Sequence, residues 1–400
     1  MPKRVVMKKK KNKELNIQNE SKKTCFTVAD SGINFALSLV IPAVAALALM
    51  LVFAFVAGLS GSDYATFTKT NVARVLELIY SPIVFFLIYF VYCKVFNYDY
   101  FKPAEIKFKL NLQKVLICII IALIAVFLMS PFISLLDYAY SLMNFKPDNS
   151  LPYVMDNGFR YVLGLVIMAA LPAICEELLF RGLIQKGLMQ KFNPHIAILI
   201  SGTLFMLLHG SLQQTVFQFV LGIILGYATY YGGSLVYSII MHFVNNAVAV
   251  TFSFVYTLKG IDPNAQSVYK NAWEYCLPVL LFVIAVAGVV GLIFLLRHVN
   301  KLESINSSIE SNEKVDAKVS NDEVKTTKAK KGKIVKAVEV KENSVNDKVE
   351  NEVTENNGNV KTKKLLNEPL TKAEKLWLIG GVILGIVIWI VNTASVFLKL

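Results

Sequence analysis

The feature that most constrains the fold of this chain is a series of apolar runs, most of them long enough to cross a lipid bilayer. A membrane-spanning α-helix needs about 20 predominantly apolar residues. The candidate spans are residues 33–59, 75–98, 113–136, 158–190, 195–210, 213–231, 234–257, 272–296 and 376–398. A helix satisfies its backbone hydrogen bonds within one segment, as the hydrocarbon core demands. We therefore expect an all-α, polytopic transmembrane helical bundle with about eight or nine spans.

Composition and charge agree with a membrane protein. Charged residues make up 17% of the chain, against about 25% in a typical soluble domain. The net charge of +13 comes from an N-terminal arm, short loops and the tail after Arg297. No basic stripe is interleaved with aromatic residues, so we exclude nucleic acid as a partner. Basic flanks beside apolar spans instead favour membrane lipids as partners.

The distribution of lysine predicts the orientation in the membrane. The arm at residues 1–30 is rich in Lys and Arg, which places the N-terminus in the cytoplasm. The loop after the second span is also basic, as alternating spans require. The first apolar run, which starts near Ile33, is too long for a cleaved signal, so we predict a retained helix. We expect an integral, multi-pass protein of a bacterial cell membrane.

The sequence divides into six parts by composition. They are a basic cytoplasmic arm (1–30), N-terminal transmembrane helices (31–150), a core with the candidate chemistry (151–260), a further transmembrane helix (261–300), a charged linker (301–375) and a C-terminal transmembrane helix (376–400). The linker has no aromatic residue and no apolar helical face. It cannot bury enough surface to offset its ordering entropy, so we predict that it is disordered.

Two adjacent carboxylates in the core indicate a functional site. Glu176 and Glu177 are the only acidic residues between Asn157 and Ile261. A charge at bilayer depth costs at least about 2.5–3.5 kcal/mol and marks function by default. Arg181 follows Glu177 by four residues, so the two share a helix face and can pair. Glu176 points about 100° away and is left for chemistry. The alternative is an ion network of all three at a helix end.

Two of the four histidines also lie within apolar sequence. His209 and His242 are these two, and Asn246 follows His242 by four residues on the same helix face. Asn245 points in another direction and is the weaker candidate. Cys175, beside the glutamates, is better explained as a small buried residue than as a nucleophile.

These side chains can hydrolyse a peptide bond in one of two ways. Glu176 and His209 can hold and deprotonate a water molecule, while His242 and Asn246 donate hydrogen bonds to the oxyanion. This preferred mechanism requires no cofactor. Alternatively, Glu176, His209 and His242 can bind zinc in an open three-ligand site, although the HExxH pairing is absent.

At these residues the chain resembles a known family. The segments EELLFR, FMLLH and HFVNN look like the ordered EExxxR, FxxxH and HxxxN motifs of the CPBP family, which comprises type II (Rce1-like) CAAX prenyl endopeptidases and bacterial relatives called Abi proteins. The resemblance covers about residues 155–255. It implies an intramembrane endopeptidase whose substrate is a membrane-embedded or lipidated peptide. The implied roles are water activation by Glu176 and His209, an oxyanion hole of His242 and Asn246, and support from Glu177, Arg181 and Phe205.

Several points stay open at the level of sequence. Members of the family are often labelled metalloproteases, so zinc remains the alternative to a metal-free site. The chain could instead be a non-catalytic membrane scaffold or a bacteriocin-immunity protein. A third hypothesis is a transporter that uses Glu176 and the histidines as a proton relay. The charged tail and the last span lie outside the resemblance, and the sequence predicts no oligomeric state.

Overall fold

The computed structural model describes residues 22–145, 151, 153–262, 264, 271–330 and 368–398. Within these residues the chain forms helices and turns and no strand. The helices in chain order are α1 (Val28–Leu59), α2 (Tyr64–Phe67), α3 (Asn71–Val95), α4 (Leu112–Leu142), α5 (Gly158–Leu188), α6 (Pro194–His209), α7 (Thr215–Gly232), α8 (Leu235–Lys259), α9 (Ala272–Lys330) and α10 (Lys372–Leu398). Most of the predicted basic arm and residues 331–367 of the predicted linker lie outside the described residues.

Eight of the described helices are long and apolar enough to cross a membrane. The predicted all-α polytopic bundle is therefore confirmed. Helix α6 is shorter, with 16 residues, and extends ~24 Å at 1.5 Å per residue, against about 30 Å of hydrocarbon. It forms a hairpin with α7. We call the five residues between the two helices, 210–214, the hairpin tip.

Helix α9 extends beyond its predicted span of 272–296. It continues to Lys330, so the expectation of a disordered linker is corrected for residues 301–330, which are helical. Lys, Glu and Ala are favourable helix formers. An established apolar helix has already overcome the cost of nucleation, so a charged sequence of this kind can continue it.

Helix α5 changes its winding beside the two glutamates. Its central segment Leu171–Glu177 is α-helical, and π-helical turns cover Leu165–Ala170 before it and Leu178–Gln185 after it. Such turns occur frequently at functional sites. Pro172, in the first turn of the central segment, has no N–H to continue the regular bonding pattern. Both glutamates thus lie where the winding of α5 widens.

Close contact between α6 and α7 shapes the region next to α5. A Cβ atom on Gly222 of α7 would lie 2.9 Å from the Cα of Gly202 on α6. Small residues of this kind let membrane helices approach closely. The carbonyls of Gly222 and Gly226 then accept hydrogen bonds from the side chains of Arg181 (3.0 Å) and Gln185 (3.1 Å) on α5. These contacts fasten the hairpin to the helix that carries the glutamates.

Candidate active site

Glu177 contacts both Arg181 and His242 inside the bundle. Its Oε1 atom lies 2.6 Å from Nη1 of Arg181, and both side chains are completely buried. The same oxygen lies 3.0 Å from Nδ1 of His242. The predicted Glu177–Arg181 pair is therefore present, and Glu177 also orients the imidazole of His242. The sequence analysis did not identify this second contact.

The ring of Phe205 packs among the charged and imidazole groups. The Arg181 guanidinium carbon lies 4.4 Å from the ring centroid, a distance typical of a cation–π contact. The ring centroids of His209 and His242 lie 4.7 and 6.0 Å from that of Phe205. Phe205 thus packs against Arg181 and both histidines and fixes their positions relative to one another.

Glu176 lies at the edge of this arrangement and has some access to solvent. Its Oε2 atom is 3.9 Å from Nε2 of His242, beyond hydrogen-bond distance, and its side chain is 13% exposed. Glu177, by comparison, has no exposed surface. The two adjacent glutamates are therefore divided as the helix geometry predicted, with Glu177 fixed in an ion pair and Glu176 facing the space beside His242.

His209 is the last residue of α6 and is held by the backbone of its own helix. Its Nδ1 atom lies 2.9 Å from the carbonyl oxygen of Phe205. A carbonyl oxygen can only accept, so Nδ1 carries the hydrogen and donates. In the neutral ring, Nε2 is then an acceptor. Gly210 follows with φ of +56° and ends the helix, as glycine in the left-handed region commonly does.

Asn245 and Asn246 form a pair on α8. Asn246 is half-buried one turn beyond His242, and its Oδ1 accepts a 3.2 Å hydrogen bond from Nδ2 of Asn245. This contact occupies the acceptor end of the Asn246 amide and leaves its donor end for another partner. The sequence analysis ranked Asn245 as the weaker candidate. In the structure, its side chain donates a hydrogen bond to Asn246.

The other two histidines lie away from this chemistry, and Cys175 lies inside the core. His195 is near the start of α6, where its Nδ1 contacts the hydroxyl of Tyr227 at 2.9 Å. His298 lies in α9, two residues after the apolar run ends at Leu296. Cys175 is buried in the main hydrophobic cluster. We therefore keep none of the three as a candidate for catalysis.

The grouping of possible metal ligands bears on the zinc alternative. Among the described residues, no three His, Cys, Asp or Glu side chains are grouped closely enough to hold a metal ion. Glu176, His209 and His242 therefore do not form a three-ligand set in this arrangement. Their donor types would suit zinc, so zinc stays the alternative to a metal-free site.

Comparison with known families identifies this region. Residues 158–248 match the family model of type II CAAX prenyl endopeptidases, Rce1-like. The match runs from the start of α5 into α8, so it includes every residue of the three motifs. It is under a quarter of the 400 residues. The chain therefore contains an Rce1-like domain, and this family implies a membrane protease. No curated protein and no solved structure matches the chain.

Proposed function

We propose that this protein is an intramembrane endopeptidase that hydrolyses a peptide bond of a membrane-associated or lipid-modified substrate. Glu176 is the base, His209 helps to hold the water, and His242 and Asn246 form the oxyanion hole. The observation that carries the proposal is the position of Glu176 Oε2, 3.9 Å from Nε2 of a histidine whose other nitrogen is fixed on Glu177. The Rce1-like domain at residues 158–248 supports the same reaction class.

The acceptor groups of the site suit a water molecule that attacks. The carboxylate of Glu176 and the Nε2 atom of neutral His209 are both acceptors. A water that donates one hydrogen to each keeps its oxygen lone pairs directed elsewhere, toward a substrate carbonyl. When the O–H bond breaks, the proton moves to Glu176 and the oxygen adds to the carbonyl carbon. No metal is needed for this step.

The opposite side of the site supplies donors for the oxyanion. His242 donates through Nδ1 to Glu177, because a carboxylate only accepts. For Nε2 to donate as well, His242 must be the imidazolium form. Glu177 and Glu176 then supply two negative charges beside the two positive charges of Arg181 and His242. Asn246 presents its amide donor because Asn245 occupies its acceptor end. Collapse of the tetrahedral intermediate breaks the C–N bond, and Glu176 returns its proton to the leaving amine.

The membrane setting limits the substrate. Glu176 and His242 lie on α5 and α8, which are long and apolar enough to span the bilayer, and the exposed apolar side chains of the outer helices suit lipid contact. We propose a membrane-embedded or lipidated peptide as the partner, a cytoplasmic N-terminus, and a bacterial membrane as the location.

A peptidase assay on the purified protein tests the function. We expect the full chain in lipid nanodiscs to cleave quenched fluorescent peptides, and comparison of prenylated with unmodified peptides identifies the substrate class. His209→Ala should lower kcat by about 100-fold, within the usual range for a positioned acid–base group. Cleavage should persist in a chelator such as EDTA. Loss of activity in the chelator, with recovery on adding zinc, would refute the metal-free mechanism.

Asn245→Leu tests the orientation of Asn246. The leucine fills a similar volume but cannot donate, so the Asn246 amide is free to turn its donor away from the oxyanion. Loss of one oxyanion donor costs about 10²–10³ in kcat, so we expect a loss of about tenfold when the donor is only misoriented. Asn246→Leu is the matched control and should cost more. Equal kcat for Asn245→Leu and wild type would refute this role of Asn245.

A further inference from the structure

Helix α10 lies outside the Rce1-like domain, yet it packs directly on α6, which carries His209, and on α1. Its N-terminal end is anchored by Glu374, whose carboxylate lies 2.9 Å from Nζ of Lys191. Along its length it contacts α1 through closely packed glycines. A Cβ atom on Gly381 would lie 3.2 Å from the carbonyl oxygen of Gly32. Gly381 and Gly385 form a GxxxG spacing, the pattern that lets membrane helices approach closely.

Further along, α10 contacts residues on both sides of His209. A Cβ atom on Gly385 would lie 3.2 Å from the side chain of Leu207, two residues before His209. A Cβ atom on Gly210, immediately after His209, would lie 2.6 Å from the amide nitrogen of Asn392. The C-terminal end of α6 is therefore enclosed by α10 at the level of the histidine.

A chain of hydrogen bonds extends this contact across the hairpin tip. The indole Nε1 of Trp389 donates to Oγ1 of Thr215 over 3.0 Å. The same hydroxyl donates to the carbonyl oxygen of Ser211 over 2.8 Å. Ser211 is two residues after His209, so the tip that follows the histidine is fastened to α10 by a side chain from outside the motif region.

The position of the hairpin tip explains why it needs a partner within the protein. Irregular backbone at membrane depth is tolerated only where protein buries it or where it lines a water-filled cavity. The tip lies ~24 Å along α6, inside the thickness of the bundle. Trp389 lies ~26 Å along α10 by the same rise, at a matching level. Its contact with Thr215 supplies a polar partner where lipid would supply none.

We infer that α10 contributes to the proposed active site. Its residues Trp389 and Asn392 are positioning residues that determine where the imidazole of His209 lies. The inference rests on the proposed function. Neither residue touches the reacting atoms. They act by holding the tip, and through it the end of α6, so that Nε2 of His209 stays within reach of the water on Glu176.

Substitutions at the central hydroxyl give the sharpest test. Thr215→Val has nearly the same shape but breaks the chain of hydrogen bonds, and Thr215→Ser keeps it. A misplacement of about 1 Å can cost up to 10²-fold in rate. We expect kcat to fall about tenfold in Thr215→Val and in Trp389→Phe, with KM within twofold of wild type. Thr215→Ser should stay within twofold of wild type in both constants.

A double variant and a matched control separate positioning from general damage. Trp389→Phe with Thr215→Val should be no slower than the slower single variant, because both break one chain. Trp377→Phe removes another indole from the same helix, at a residue that is 44% exposed, and should leave kcat unchanged. Additive losses in the double variant, or equal kcat in Thr215→Val and wild type, would overturn the inference.

A readout that does not depend on activity completes the test. The chain has three tryptophans, so labelling with 5-fluorotryptophan gives few signals, and Trp389→Phe assigns one of them. That signal should shift in Thr215→Val and stay in place in Thr215→Ser. An unchanged signal in Thr215→Val would overturn the inference. If the wild type cleaves no peptide while the Trp389 signal still shifts in Thr215→Val, the proposed function is refuted. The contact of Trp389 with Thr215 would stand in that case.

Discussion

Replacement of Glu176 by glutamine is expected to abolish peptide cleavage while the protein stays folded. Glutamine has almost the same size but cannot accept a proton from water. Loss of a general base costs about 10²–10⁴-fold, so kcat should fall by at least about 100-fold. The fold should survive because Glu176 is 13% exposed and lies 3.9 Å from its histidine neighbour, too far for a hydrogen bond. Cleavage and thermal unfolding should be measured on the same nanodisc samples.

Two matched variants show whether the effect belongs to this carboxylate. Glu105→Gln makes the same chemical change at a surface residue that pairs with Lys186, and should retain wild-type kcat. Glu177→Gln makes it at the adjacent position, where it should also lower stability because Arg181 loses its buried partner. If Glu176→Gln retains more than a third of the wild-type kcat, Glu176 is not the base.

Much of this architecture can be predicted from local patterns in the sequence, namely the length of apolar runs and helical periodicity. Apolar runs of about 20 residues predict spans because the bilayer fixes their length. Helical periodicity predicts that Glu177 faces Arg181 and that Glu176 faces elsewhere, and the structure places them so. The three motifs bring Phe205 and the two histidines together because each motif lies on a separate helix at a similar depth.

The parts that sequence reasoning did not predict depend on contacts between helices. Periodicity gives the face on which a side chain lies, but not which helix packs against that face. The hydrogen bond from His242 to Glu177 crosses from α8 to α5, and no spacing within either helix predicts it. The winding of α5 changes from α to π beside the glutamates, and no spacing in the sequence predicts this change.

The role of α10 had a signal in the sequence that reasoning by motif passed over. Gly381 and Gly385 have the spacing of a close helix contact, and Trp389 and Asn392 place polar groups on the same span. A span that only anchored the tail would not need them. The pattern predicts that the helix has a partner within the protein, although it cannot name α1 and α6 as that partner.

Replacement of Arg181 by methionine is expected to destabilise the protein strongly. The arginine is completely buried with Glu177 and also donates to the carbonyl of Gly222 on α7. Removal of one partner from a buried ion pair costs about 3–5 kcal/mol, because the other charge is left uncompensated. The same change removes the bond that fastens the hairpin to α5. Unfolding in mixed micelles of SDS and dodecyl maltoside would measure the loss.

The double variant with both charges removed distinguishes the uncompensated charge from lost packing. In Glu177→Gln with Arg181→Met, both charges of the pair are removed together, and neutral replacements of a buried pair are often tolerated. We expect it to recover more than half of the stability that Arg181→Met loses, yet to remain inactive because His242 no longer has a carboxylate on Nδ1. If the double variant is as unstable as the single one, the loss comes from packing against Phe205 and Gly222, and Arg181 stabilises the site by its shape rather than by its charge.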